Sequence, residues 1–227
     1  MLSDKQRIEA ALEVLHRGNI VEIRCLKVGE WGSTWSGYFD DYSLAADAAL
    51  EAEAEGCGGI YTLLNKVHPG CFARSPNRMT KRNPKASTET DIEARQWALV
   101  DFDPVRPSGI SSTVAELDKA KKASKIVFDL AAESVGAENL VRACSGNGWH
   151  VLIPIDSNAK DAYIKEMLGI FARHVDHIEG VDVDLSVTKA NGLTKLYGTT
   201  ATKGYSTPDR PHRTSYILTP NLEPNNV

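Results

Sequence analysis

The sequence has no long hydrophobic run, few cysteines and no excess of positive charge, and each shortage removes a class of function. No apolar stretch approaches the roughly 18 residues that a membrane span needs, so no membrane partner is expected. The four cysteines, Cys25, Cys57, Cys71 and Cys144, contain no C-x-x-C pair, which excludes a zinc ribbon and a thioredoxin-like motif and reads as reduced thiols. Lysine and arginine total 26 against 30 aspartates and glutamates, a net charge of -4, so the chain cannot coat nucleic acid by bulk charge. The opening MLSDKQRIEAALEVL has no secretory h-region, and a cytoplasmic location is expected. There is no internal repeat and no low-complexity tract.

What is present is ordinary globular composition, 42% hydrophobic and 25% charged over 227 residues, enough for one bilobed domain or two small ones. Ser3 with Gln6 forms a capping-box signature ahead of Ile8, Leu12 and Leu15, and Gly18 ends that helix. A β-branched strand over 19–26 follows, with a hairpin partner reaching Phe39. Ser43 is expected to cap an alanine-rich helix ending at Gly56, and 59–64 reads as a further strand. From Cys71 to Thr88 the chain carries Arg74, Arg78, Lys81, Arg82 and Lys85 with no acid, the pattern of an exposed basic loop. From 97 onward the order is strand 97–103, helix 113–134, strands 140–144 and 149–155, helix 160–174 and strand 181–187. That βαββαβ order is the ferredoxin-like plan. The expected fold class is therefore α/β (α+β), with an N-terminal αβ module over 1–95 packed on an RRM-like module over 96–227. The tail 221–227 reads as frayed or as an attachment to something further on.

The chemistry concentrates in Trp97-Ala98-Leu99-Val100-Asp101-Phe102-Asp103-Pro104. A period of two puts Asp101 and Asp103 on one face, about 6.6 Å apart at Cα, where carboxylates can converge on a divalent ion. Pro104 is expected to end the strand, and Phe102 to point the other way. In a ferredoxin-like sheet the last strand runs antiparallel beside the first, which brings Val181-Asp182-Val183-Asp184 close. Asp182 and Asp184 share a face, so spacing alone does not choose between them. In Cys144-Ser145-Gly146-Asn147-Gly148-Trp149-His150, the glycines would let backbone amides approach an anion and Ser145 can donate. The stretch Lys195-Leu196-Tyr197-Gly198-Thr199 through Arg213 supplies cations and hydroxyls.

D-F-D-P, S-G-N-G-W-H and V-D-V-D, in this order, resemble the three motifs of the archaeo-eukaryotic primase superfamily, and other segments resemble primase-polymerases of phages and mobile elements. Among these are Gly37-Tyr38-Phe39-Asp40, Tyr61-Thr62-Leu63 with Asn65, and the K-L-Y-G-T to R-P-H-R stretch. The resemblance implies a template-dependent nucleotidyltransferase, a DNA primase/polymerase using two Mg²⁺ or Mn²⁺ ions. It makes Asp101, Asp103 and Asp184 the catalytic metal ligands, preferring Asp184 because Ser186-Val187 follow it. Ser145, Gly146, Gly148, His150 and Lys203 would contact the incoming nucleoside triphosphate, and Arg74, Arg78, Lys81 and Arg82 the single-stranded DNA template. Relatives often carry a helicase as well. Where relatives have an Asn and an Arg before K-L-Y-G-T, this chain reads Lys189-Ala190-Asn191-Gly192, and Lys189 could supply the charge. The rival readings are a replication-initiator endonuclease, for which His150 stands alone on its strand, and a catalytically weak single-strand-binding subunit of a replication complex. The acids where exposed aromatics would be needed disfavour a pure RRM-type binder.

Overall fold

The computed structural model describes residues 2–29, 32–82 and 84–220. The expected frayed tail lies outside the described residues. Helix α1 (Asp4–His16) starts at the expected box: Ser3 Oγ accepts from the Gln6 amide and Gln6 Oε1 accepts from the Ser3 amide. Its apolar positions Ile8, Leu12 and Leu15 are buried. Strands β1 (Val21–Val28) and β2 (Ser33–Phe39) form the antiparallel hairpin. Helix α2 (Tyr42–Ala54) is capped by Asp41 and not by Ser43, because the Asp41 carboxylate reaches the amides of Ser43 and Leu44. Ala45, Ala46, Ala49 and Ala52 are fully buried, and such small side chains let α2 sit close to its neighbours. Strand β3 (Gly59–Leu63) pairs with β1. The short strands β4 (Lys66–Val67) and β5 (Ile92–Ala94) pair with each other.

The basic segment is less loop-like than its composition suggests. It contains a short 3₁₀ turn, Pro69–Arg74, and runs along the edge of β2 through isolated bridges from Ser36 to Thr80 and from Tyr38 to Pro76. The Tyr38 hydroxyl donates to the Lys85 carbonyl 2.9 Å away, and Ser75 and Ser87 are buried. A strand edge left open would expose unpaired amides and carbonyls, and this segment covers it.

Strand β6 (Trp97–Pro104) is followed by α3 (Val114–Val135), β7 (Val141–Cys144), β8 (Trp149–Pro154), α4 (Asp161–Val175) and β9 (Val181–Val183). Then come β10 (Leu193–Lys195), β11 (Thr200–Ala201), β12 (Arg213–Thr214) and β13 (Tyr216–Thr219). Thr113 and Glu116 make a reciprocal capping box at the start of α3. The main sheet has the order β13-β7-β8-β6-β9, with every neighbouring pair antiparallel. Strand β6 includes Pro104, whose Cα still faces Val181, so the ladder runs one residue past the expected stop. Strand β9 ends at Val183 and not at Val187, because the Asp184 carboxylate turns back to accept the Ser186 amide. The protein is thus a mixed α and β structure built on antiparallel sheets.

The alternation of β6 and β8 sorts the main sheet into two faces. Ala98, Val100, Phe102, Trp149 and Val151 pack beneath α3 and α4 with Val127 and Leu168. Trp97, Leu99 and Leu152 face the other way and meet Ala11 and Leu15 of α1 and Tyr197. Strand β10 leaves the second half of the chain to join β3 in a sheet ordered β10-β3-β1-β2, across the expected boundary at 95/96. Asn65 fastens the same junction, accepting from the amides of Gln96 and Trp97 and donating to the Ala190 carbonyl.

Candidate active site

The α1-facing side of the main sheet is only partly covered by that helix. Where it is not, a cleft of about 220 Å³ opens between β6 and β8 on one wall and β3 and β10 on the other. Asp101, Asp103, Ser145 and His150 line the first wall, and Gly59, Tyr61 and Lys195 the second. Arg106, Thr202 and Lys203 close its rim.

The two aspartates share the face that their spacing requires, and Phe102 between them is fully buried on the opposite side. Asp101 Oδ1 is buried and has no hydrogen-bond partner. It lies 3.3 Å from His150 Nε2, without hydrogen-bond alignment. Asp103 has a half-exposed side chain 3.5 Å from Arg106 Nη1. Enclosure by the cleft and then the negative charge of Asp101 raise the Asp103 carboxyl above the usual carboxylate range, with Arg106 and Lys203 pulling it back. Two crowded carboxylates, one with an orphaned oxygen, are a donor set that fits a hard divalent cation.

Strand β9 brings both remaining acids to the same edge. Asp182 is directly opposite Asp103, and the Asp184 amide donates to the Asp101 carbonyl at 3.0 Å. Asp182 is exposed and Asp184 half-buried, and neither lines the cleft. Among the described residues no three His, Cys, Asp or Glu side chains form a ready metal cage. An ion held by one or two carboxylates and completed by water and substrate phosphates needs no such cage.

The turn between β7 and β8 is tight. Ser145 Oγ accepts from the Gly148 amide at 3.0 Å, and the Gly146 amide points at Cys144 Sγ. Both glycine amides therefore already have partners within the turn. The glycines answer to packing: a Cβ on Gly148 would lie 2.6 Å from the Phe102 carbonyl oxygen, and Gly146 has φ +92° with Ala201 equally close. What the turn offers the cleft is the Ser145 hydroxyl proton. Asn147 is occupied by Ser112, whose amide and hydroxyl it accepts.

His150 is buried, with Nδ1 2.7 Å from the Tyr197 hydroxyl. Complete burial raises Tyr197, so its hydroxyl keeps its proton. When Tyr197 donates to Nδ1, the ring proton sits on Nε2, facing Asp101 and the cleft. Lys195 is 6% exposed, and its Nζ donates to the Thr200 carbonyl at 2.9 Å. Burial pushes its pKa down to about 8, against the opposing pull of Glu53. Tyr61, across from the acids, is raised by burial first and by the charges of Cys57, Asp101 and Asp103 after that. Tyr61, Arg106 and Lys195 had no assigned role in the sequence reading. The motif stretch containing Lys195 held a signal, but only the pairing of β10 with β3 reveals the wall that it joins.

The basic segment does not reach this cleft, whose lining includes none of its residues. Arg74 binds Asp91 at 2.6 Å and the Tyr38 hydroxyl at 3.2 Å. Lys81 pairs with Glu51 at 2.5 Å and stacks 4.3 Å above the Trp35 ring centroid. Arg78 and Arg82 are exposed and make no ion pair among the described residues. Lys189 is held by Glu89 at 2.9 Å and Asp161 at 3.5 Å and does not line the cleft. No described helix is long and apolar enough to cross a membrane.

The solved structure of the primase RepB′ is similar to this chain, with a TM-score of 0.49 and 14% identity. The similarity covers 95% of this chain and 55% of that one, so this chain spans about half of the primase's length. No family model matches the chain, and no curated protein matches it either.

Proposed function

We propose that this cleft joins nucleotides on a nucleic-acid template, as a primase-polymerase of the archaeo-eukaryotic primase superfamily with an RRM-like catalytic module. The observation that carries the reading is Asp101 Oδ1, buried and unpartnered beside Asp103, in a cleft also lined by Arg106, Lys195 and Lys203. Cations packed around paired carboxylates suit a polyanionic substrate that arrives with divalent ions. The order of strands β7-β8-β6-β9, with β9 antiparallel beside β6, is the order a ferredoxin-like module would have.

The reaction would link a 3′-oxygen to the α-phosphorus of a nucleoside triphosphate, with pyrophosphate leaving. Asp101 and Asp103 would hold Mg²⁺ or Mn²⁺, with Asp184 as the third ligand through the oxygen that the Ser186 amide does not bond. Bound ions would supply Lewis-acid charge and a more acidic 3′-hydroxyl. Lys203 and Arg106 would neutralise the triphosphate at the rim, and Ser145 Oγ–H and His150 Nε2–H would donate to its oxygens. Tyr197 would orient His150 for that contact. Lys195, enclosed on the opposite wall, would place a charge where water competes least. Single-stranded DNA would be the template, and a helicase a natural partner.

Single-stranded DNA, labelled nucleotides and Mg²⁺ or Mn²⁺, with and without a primer, test the reading. Primer-dependent product means a polymerase, and primer-independent product a primase. The absence of any product with either metal and either nucleotide sugar overturns the proposal.

A further inference from the structure

Thr202 and Lys203 line the cleft, and the chain then continues as a strap to Arg213 on β12. In the middle of that strap Tyr205 is 94% exposed, far beyond any other large hydrophobic side chain described as exposed. Exposed rings are commonplace on mobile loops, but this backbone is tied down on both sides of Tyr205. The Lys203 carbonyl accepts from Ser111 Oγ at 3.0 Å, and the Gly204 carbonyl lies 2.8 Å from His212 Nε2. Ser206 Oγ accepts from the His212 amide. Arg210 makes two 2.8 Å bonds to the Glu116 carboxylate at the start of α3 and a third to the Ser111 carbonyl. Gly204 packs so closely on Gly109 that a Cβ would meet the Gly109 carbonyl at 2.6 Å.

A ring held out on an anchored strap has paid little of its ordering cost at the moment of binding, because the backbone is fixed beforehand. Its Cα lies within about 7 Å of the Cα of Lys203, which itself faces the carboxylates. Arg210 is matched to Glu116, which leaves Lys203 and Arg213 against Asp209, the strap's single acid. An aromatic face beside a cation suits one ligand above others, a nucleobase whose neighbouring phosphate meets the lysine. We infer that Tyr205 is a stacking platform for a base of a single-stranded polynucleotide entering the carboxylate cleft. This rests on the reading of the cleft as a nucleotidyl-transfer site and adds a contact to the strand itself.

The test compares the full chain with Tyr205→Ala and Tyr205→Trp, using fluorescence anisotropy of a labelled oligothymidylate and of an abasic strand of equal length. Stacking is sequence-tolerant but needs a base, so Tyr205→Ala should bind oligothymidylate on the order of tenfold more weakly. Its affinity for the abasic strand and its salt slope should stay as in the wild type, since no phosphate contact is removed. Tyr205→Trp should keep the affinity, and its added indole fluorescence should be quenched by oligothymidylate. Equal affinity of Tyr205→Ala and wild type for oligothymidylate overturns the platform, as does an equal loss on both strands. Primer extension by the wild type, run in parallel, separates the two ideas. Extension with undisturbed Tyr205→Ala binding removes the platform and leaves the cleft reading standing. A base-dependent loss in a protein that extends nothing keeps the platform and removes the cleft reading.

Discussion

The basic segment 74–85 carries charge of one sign and strand β6 charge of the other, and the fold uses them in opposite ways. Arg74 is matched to Asp91 and Tyr38, and Lys81 to Glu51 and Trp35, so these cations hold the segment against the β2 edge. Asp101 and Asp103 are left side by side on one wall of a cleft, one with a buried oxygen that bonds to nothing. Charge that folding satisfies stabilises the structure, whereas charge that folding leaves unsatisfied costs stability and is kept for a ligand. The partner list, more than the charge count, separates scaffold from site.

The largest expected break in this contrast comes from removing the unsatisfied charge. Asp101→Asn and Asp103→Asn should each lower extension by about three orders of magnitude, the several kcal/mol of transition-state charge stabilisation lost with the ions. Neither should lower the melting temperature, and relief of the carboxylate repulsion should raise it slightly. Primer extension and thermal melting of the same preparations check both halves. A variant that melts well below the wild type would make these acids structural.

Lys195 sharpens the contrast from the cationic side. Its folded pKa of about 8 lies below the ordinary lysine value of 10.5, so between those values the unfolded chain binds more protons than the folded one. Its contribution to stability is therefore present above pH 10.5 and lost as the pH falls through 8. Lys195→Met should be more stable than wild type at pH 7, by about 3 kcal/mol at most, and less active. The stability gap should close as the pH rises from 8 to 10.5, which denaturant titrations across that range can follow. A gap that widens with pH would mean that the lysine is stabilising where it sits.

Arg74→Ala should do the reverse of the aspartate variants, costing about 2 kcal/mol of unfolding free energy in denaturant titrations while single-strand affinity stays unchanged. The Arg74 guanidinium holds Asp91 well below the usual carboxylate range, so this contribution is present near neutrality and disappears as acid protonates Asp91. The difference between Arg74→Ala and wild type should accordingly shrink in strong acid. The smallest effect belongs to Arg78 and Arg82, the exposed pair. Their joint replacement by alanine should leave stability within about 0.5 kcal/mol and reduce the salt slope of single-strand binding by about 1.4. An unchanged slope would remove the whole segment from the template path.

Strand periodicity made β6 legible: a period of two places Asp101 and Asp103 together and Phe102 opposite. The capping box at Ser3 and the order of elements from β6 to β9 were legible for similar local reasons. The second wall of the cleft was not, because β10 is three residues long, carries no period, and gains its place only by pairing with β3. The partners of Arg74 and Lys81 were equally hidden, lying 17 and 30 residues away in sequence. The early end of β9 turned on one competing bond, from the Ser186 amide to Asp184, that strand propensity does not contain.

The most direct measurement is a Mn²⁺ titration of the wild type, Asp101→Asn and Asp103→Asn, each with and without a non-hydrolysable nucleoside triphosphate, read by electron paramagnetic resonance. The carboxylate pair should bind Mn²⁺ markedly more tightly when the triphosphate is present, and both variants should lose that gain. Equal Mn²⁺ affinity in wild type and variants, with the triphosphate bound, would contradict a metal-dependent nucleotidyl-transfer site at Asp101 and Asp103.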